Sequence, residues 1–206
     1  MGADFPYPRP LLTQSMPWSK AYGRISLLVC LAGVSLARAE EPSIPVRLQA
    51  GLMAKLAEYD RNMRARAGDR IRVAMLINPS DTDSVRVGNE MSHALGQIAE
   101  IAGLPHEELS IAYTTAETLP DACATRRIAI LYVTPGFDND AVKISQALRG
   151  TDVLTVSAVA RYVPRGIVVG FDAVGGQPRM LVHLPQAKAQ HVDFQATLLK
   201  LMQVVE

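Results

Sequence analysis

Three groups of residues in this chain carry side chains able to do chemistry. His183, His191 and Asp193 could meet in space, and imidazole nitrogens with a carboxylate are zinc ligands. The four histidines (His93, His106, His183, His191) lack the His-x-x-x-His spacing that puts two ligands on one helical face. Hydrogen-bonded or solvated histidines are the commoner outcome, so no metal site is expected. Asp81 and Asp83 form an acidic pair at the start of a helix. Carboxylates there accept backbone N–H bonds and oppose the positive end of the helix dipole, so capping is favoured over acid–base work. Arg61, Arg64, Arg66, Arg70 and Arg72 are the densest charge cluster, interrupted only by Asp69. They could meet an acidic partner or lipid headgroups, although a charged helix end is often simply solvated.

The remaining motifs are missing. No Gly-x-Ser-x-Gly elbow occurs, no glycine-rich loop ends in Gly-Lys-Ser/Thr, and Gly166, Gly170, Gly175 and Gly176 do not fit a dinucleotide fingerprint. Neither a catalytic constellation nor a cofactor is expected.

Lys20 to Glu40 suggests where the protein works. Lys20 and Arg24 lead into an apolar run from Ile25 to Ala37, and Ala37-Arg38-Ala39 is a small-x-small exit. Those are the three parts of a secretory signal. A membrane span needs about 20 apolar residues, more than this run has. Residues 1–39 are therefore expected to be a cleavable signal, with Met16 as an alternative start, followed by a leader over 40–45. Val29 stands where lipoprotein processing at Cys30 would want a small residue.

Cleavage after Ala39 takes four basic residues and one acidic residue from the 206-residue chain. Lys+Arg falls from 21 to 17, Asp+Glu from 20 to 19, and net charge from +1 to −2. That balance gives no nucleic-acid footprint. Trp18 and Cys30 leave as well, so Cys123 becomes the sole thiol and is expected to be buried among small residues. What remains is one ordinary domain, expected over 46–206.

The elements that must position these groups follow from periodicity. Leu48, Leu52, Leu56, Tyr59 and Met63 recur at helical spacing, as do Val87, Met91, Leu95, Ile98 and Ala102 before Gly103. Residues 70–77, 109–114, 127–134 and 152–157 read as strands, with 116–125 as a short helix or irregular crossover and 138–148 as a helix. Ile167 to Phe171 and Met180 to Leu184 flank Gly175-Gly176 as a hairpin, and a helical segment around Leu198, Leu199 and Met202 closes the chain. The expected fold is a single three-layer α/β domain around a mostly parallel sheet, with an antiparallel hairpin near the C-terminus.

The last third resembles the YfiR family of periplasmic proteins. The resemblance rests on Asp152 to Ser157, Arg165 to Phe171, Val182-His183-Leu184, Ala187-Lys188-Ala189, Val192-Asp193-Phe194 and Leu198-Leu199-Lys200-Leu201. Leu56 to Asn62 and Ala129 to Val133 extend it upstream. His183 stands for the family's usual Asn, His191 for its Gly after the short helix, and Gly166-Ile167 for its Gly-Gly doublet. Histidine enters the left-handed region more readily than most residues, so His191 can end that helix. The paired cysteines of some relatives are absent, which excludes a disulfide control inside this monomer.

The resemblance implies a non-catalytic periplasmic protein that represses a membrane-bound diguanylate cyclase, or a similar sensor such as a histidine kinase, through its periplasmic domain. It also implies sequestration by an outer-membrane lipoprotein. A homodimer is compatible with the sequence, and Arg61, Arg64, Arg66, Arg70 and Arg72 are the candidate contact residues. The alternative is a periplasmic small-molecule binder, because α/β sheets take ligands beyond the carboxyl ends of their strands. A third class, an enzyme using His183, His191 or Asp193, would need a closed polar pocket around them.

Overall fold

Seven strands form one sheet in the order β2-β1-β3-β4-β5-β6-β7. The computed structural model describes residues 42–205 together with Gly2. The expected signal, the alternative start at Met16, the cleavage after Ala39 and the first leader residues lie outside the described residues. No helix among the described residues is long and apolar enough to cross a membrane.

The chain enters with α1 (Val46–Glu58) and α2 (Met63–Ala67), then β1 (Ile71–Ile77), α3 (Thr82–Leu95) and β2 (His106–Ala112). There follow α4 (Leu119–Thr125), β3 (Ile130–Val133), α5 (Ala141–Ala147) and β4 (Leu154–Ser157). A 3-10 turn over Ala160–Arg165 leads to β5 (Val169–Val174) and β6 (Gln177–His183). α6 (Leu184–Ala189), α7 (Ala196–Leu199) and β7 (Met202–Val205) complete the described residues.

β1 to β5 run parallel, β6 is antiparallel to β5, and β7 runs parallel to β6. β3 and β4 are buried along their whole length; β3 accordingly reads as an unbroken apolar run, whereas β4 alternates and satisfies its buried hydroxyls, Thr155 donating to Gln190 Oε1 at 2.9 Å and Ser157 to Val159 O at 2.8 Å. Gly175 and Gly176, with φ of 60° and 78°, turn β5 into β6 as the expected hairpin. Two consecutive positive φ values suit the right-handed twist of the flanking strands, and glycine adopts them without a Cβ clash. The α/β domain around a mostly parallel sheet, with this antiparallel hairpin, is as expected.

Three elements differ from their sequence pattern. The C-terminal helix is only the four residues of α7, and Met202 begins a strand. Met202 to Val205 can pair along β6, and that ladder outcompetes a short helix with few backbone bonds. Leu198 is buried, Leu199 partly so, and Leu201 is 72% exposed. The first helix stops at Glu58 because Asp60 bridges to Phe194 instead of continuing the helical ladder. Its inward face is Gln49, Ala50, Met53, Leu56 and Ala57, whereas Leu48 points out. The helix from Thr82 ends at Leu95, so Ile98 and Ala102 pack from turns beyond it.

Candidate functional site

Strand order reverses between β1 and β3, and in open α/β sheets the crevice beyond the carboxyl ends at such a reversal is the usual ligand site. Here that crevice is laced shut. Asn78 Nδ2 donates to Gly136 O at 3.1 Å, joining the loop after β1 to the loop after β3. Ser84 and Thr134 hydroxyls meet at 2.5 Å, and Thr134 Oγ1 also donates to Leu76 O at 2.6 Å. Asp81 caps α3 by accepting from Ser84 N at 2.8 Å. Gly136 sits against it at φ 88°, so close that a Cβ would lie 2.8 Å from Asp81 Cγ. The ring of Phe137 packs edge-on to Tyr113 with centroids 5.0 Å apart, and its N–H donates to Tyr162 Oη at 2.8 Å. Asp83 pairs with Arg86 on the helix surface. The acidic pair therefore serves the helix.

The amino ends of the strands look different. A groove of about 570 Å³ opens there, lined by Arg66, Asp69, Asp121, Cys123, Arg127 and Asp152 among others. Smaller concavities surround the same corner, where α2 meets the chain after α6. Asp60 anchors this corner. Its side chain is fully buried, pairs with Arg66, and accepts from the backbone N–H groups of Asn62 and Asp193, each at 3.1 Å. Arg66 also donates to His191 O at 3.1 Å, so the ion pair ties α2 to the end of α6.

Two residues of this corner hold left-handed backbone normally given to glycine. Arg127 (φ 51°) ends α4, with Ile128 N bonding back to Cys123 O at 2.9 Å. His191 (φ 53°) ends α6, with Val192 N bonding to Ala187 O at 2.8 Å. Both are Schellman-type closures. His191 thus takes the helix-ending place its sequence position suggests.

The five arginines do not form one patch. Arg61 Nη1 donates to both carboxylate oxygens of Asp193, at 3.0 and 3.1 Å. Arg64 reaches Ala102 O at 3.3 Å and stays exposed. Arg66 has a 3% exposed side chain and is spent inside the fold. Arg70 and Arg72 turn to Glu107 of β2, at 3.9 and 3.6 Å. Arg61, Arg64 and Arg70 keep exposed side chains, the first and last of them paired with carboxylates.

The histidine–acid set is also dispersed. His183 Nδ1 accepts from Gln186 N at 3.0 Å, capping α6, while His191 Nδ1 lies 2.7 Å from Asp152 and Asp193 serves Arg61. Among the described residues no group of three or more metal-ligating side chains stands together. Cys123 is 2% exposed at the edge of the groove, and burial pushes its thiol up to about 11 despite Arg126 nearby. Asp60, Asp152 and Arg127, which shape this corner, carry no sequence signal of a site role. Asp60 lies six residues before Arg66 across a helix break, a spacing no periodic template flags.

Two solved structures share the fold. An ABC domain from Streptococcus pneumonia in complex with L-Trp aligns with TM-score 0.55 and 10% identity, covering 82% of this chain and 67% of that one. A conserved domain protein from Vibrio cholerae aligns with TM-score 0.52 and 10% identity, covering 79% of this chain and 60% of that one. No curated protein matches the chain. A family model described as YfiR/HmsC-like matches residues 50–203, from the first helix to the last strand. The chain belongs to the YfiR/HmsC-like family.

Proposed function

We propose that this protein is a non-catalytic periplasmic regulator that represses a membrane-bound diguanylate cyclase, or a similar sensor, through that partner's periplasmic domain. The observation that carries this reading is the closed crevice at β1 and β3 in a chain of the YfiR/HmsC-like family. The place where this fold ordinarily takes a small ligand is filled by its own side chains, so the family role is best met by surface contact. The α2 corner is the contact surface, with Arg61, Arg64 and Arg70 presenting charge to the partner and Arg66 and Arg72 holding the corner in shape. An outer-membrane lipoprotein that took the same surface would release the partner.

Deletion of the gene tests the reading. Cyclic di-GMP, or the output of the partner sensor, rises when the repressor is gone. Replacing Arg61, Arg64 and Arg70 by Glu weakens partner capture chiefly through association rate and its salt dependence, as exposed rim charges do. Unchanged cyclic di-GMP and sensor output, with no membrane partner on crosslinking, would sink the proposal.

A second reading, a periplasmic small-molecule binder, draws support from the groove of about 570 Å³ and from fold kinship with a protein solved with L-Trp. It requires a ligand at the amino ends of the strands. Calorimetry against an amino-acid panel separates the two readings.

A further inference from the structure

At the start of β2, on the edge of the sheet, both ring nitrogens of one histidine face acceptors. His106 Nε2 lies 2.8 Å from Ile98 O, and a carbonyl only accepts, so this nitrogen carries a hydrogen and donates it. His106 Nδ1 lies 2.7 Å from Glu108 Oε1. Both of these atoms are buried, and neither has a hydrogen-bond partner elsewhere. A neutral imidazole with its hydrogen on Nε2 would turn a lone pair toward an ionised carboxylate. The contact is attractive only when one further proton sits on the pair.

The surrounding charges leave that proton to the pair. Among the described residues Glu108 is the only carboxylate within ion-pair reach of His106. Arg70 and Arg72, before and within β1, turn to Glu107, which alternates to the other side of β2. On α3, Asp83, Arg86 and Glu90 pair along the helix surface, and His93 is exposed. Arg126, after α4, reaches Ser110 O further along the strand, and Glu100 is exposed.

The bond to Ile98 O ties β2 to the connection over residues 96–105. That connection turns through Ala102 and Gly103, at φ of 50° and 69°, with Ile101 and Leu104 bonded to each other in both directions at 3.0 Å. Ala102 O in this turn receives Arg64 Nη2 at 3.3 Å. His106 and Glu108 therefore stand at the base of the loop on which Arg64 rests.

We propose that His106 and Glu108 form a proton switch: their shared proton holds the 96–105 connection against β2, and its loss to solvent as pH rises loosens the connection and the seat of Arg64. Once the proton leaves, repulsion between two buried acceptors weakens the ring's hold on Ile98 O. The regulatory meaning rests on the contact surface proposed above, to which Arg64 belongs. The switch itself is a property of the free chain.

Amide hydrogen exchange followed by NMR reads it in the purified protein with no partner present. Protection of the Ile98 and Leu104 amides, corrected for the intrinsic effect of pH, should fall roughly 2- to 10-fold between about pH 5.5 and about pH 8, the worth of one hydrogen bond. The fall should track titration of the His106 ring, read from its nitrogen shifts. Glu108→Gln offers Nδ1 an N–H and removes the need for the proton, so its protection should stay high at both values. Circular dichroism verifies that the variant is folded. Equal protection at both pH values in the wild type, or a fall that persists in Glu108→Gln, would overturn the proposal. Either result leaves the contact reading standing, because the experiment contains no partner.

Discussion

The two ends of the parallel strands use their side chains in opposite ways. At the carboxyl ends, Asn78, Ser84 and Thr134 bond loop to loop and to the strand, and Gly136 lies close against Asp81. At the amino ends, the chain buries an ion pair, holds two non-glycine residues in left-handed backbone and leaves a groove open. The first arrangement consumes polar groups to fix the fold. The second keeps charge and shape at the surface, where the proposed contact lies. An α/β sheet can thus spend its customary ligand crevice on stability.

The largest expected effect is at the amino-end anchor. Asp60→Ala leaves the Arg66 guanidinium buried and unpaired, a change that costs about 3–5 kcal/mol. Urea unfolding would measure it, and a loss below about 1 kcal/mol would mean the pair is better solvated than its burial implies. Such a loss would erase much of the contrast between the two ends.

Gly136→Ala strikes the other end. A side chain at φ 88° is strained, and its Cβ would press on Asp81, so the two costs together come to roughly 2–5 kcal/mol. An unchanged melting curve would show that the carboxyl-end loops yield easily and that the crevice is not truly closed.

Cys123 sharpens the comparison through pH. Burial raises its thiol from 9.0 to about 11, so between those values the native state holds a proton the unfolded chain has released. Stability is therefore full below about pH 9 and is lost as pH rises toward 11, by roughly 2–3 kcal/mol. Cys123→Ala should flatten that slope relative to wild type when unfolding is compared at about pH 8 and about pH 11. Equal slopes would mean the thiol is open to the groove.

The smallest expected effect is a gain. Arg127→Gly relieves a left-handed arginine and should stabilise the protein by about 1 kcal/mol, read as a higher melting temperature. A loss of stability instead would show that the arginine side chain supports the fold and is not held there for the surface.

The parallel sheet was legible because Ile130 to Val133 sits inside a nearly unbroken apolar run of the kind a doubly covered strand requires, and because strands alternate with helices along the chain. Gly175-Gly176 announced its turn for an equally local reason. The last strand was not legible: Leu198 to Val205 fits a helical period and a strand, and only the exposed side of β6 decides between them. The candidate site was half legible. Sequence proximity gathered five arginines, but the break after α1 and the direction of β1 send them to Asp193, Ala102, Asp60 and Glu107. Their common surface shrinks to three.

Site-specific photocrosslinking in living cells tests the central claim most directly. A photoreactive residue in place of Arg64, at the exposed amino-end corner, should capture a membrane sensor, while one in place of Lys143, exposed near the carboxyl ends, should not. Capture from Lys143 and none from Arg64 would contradict the account.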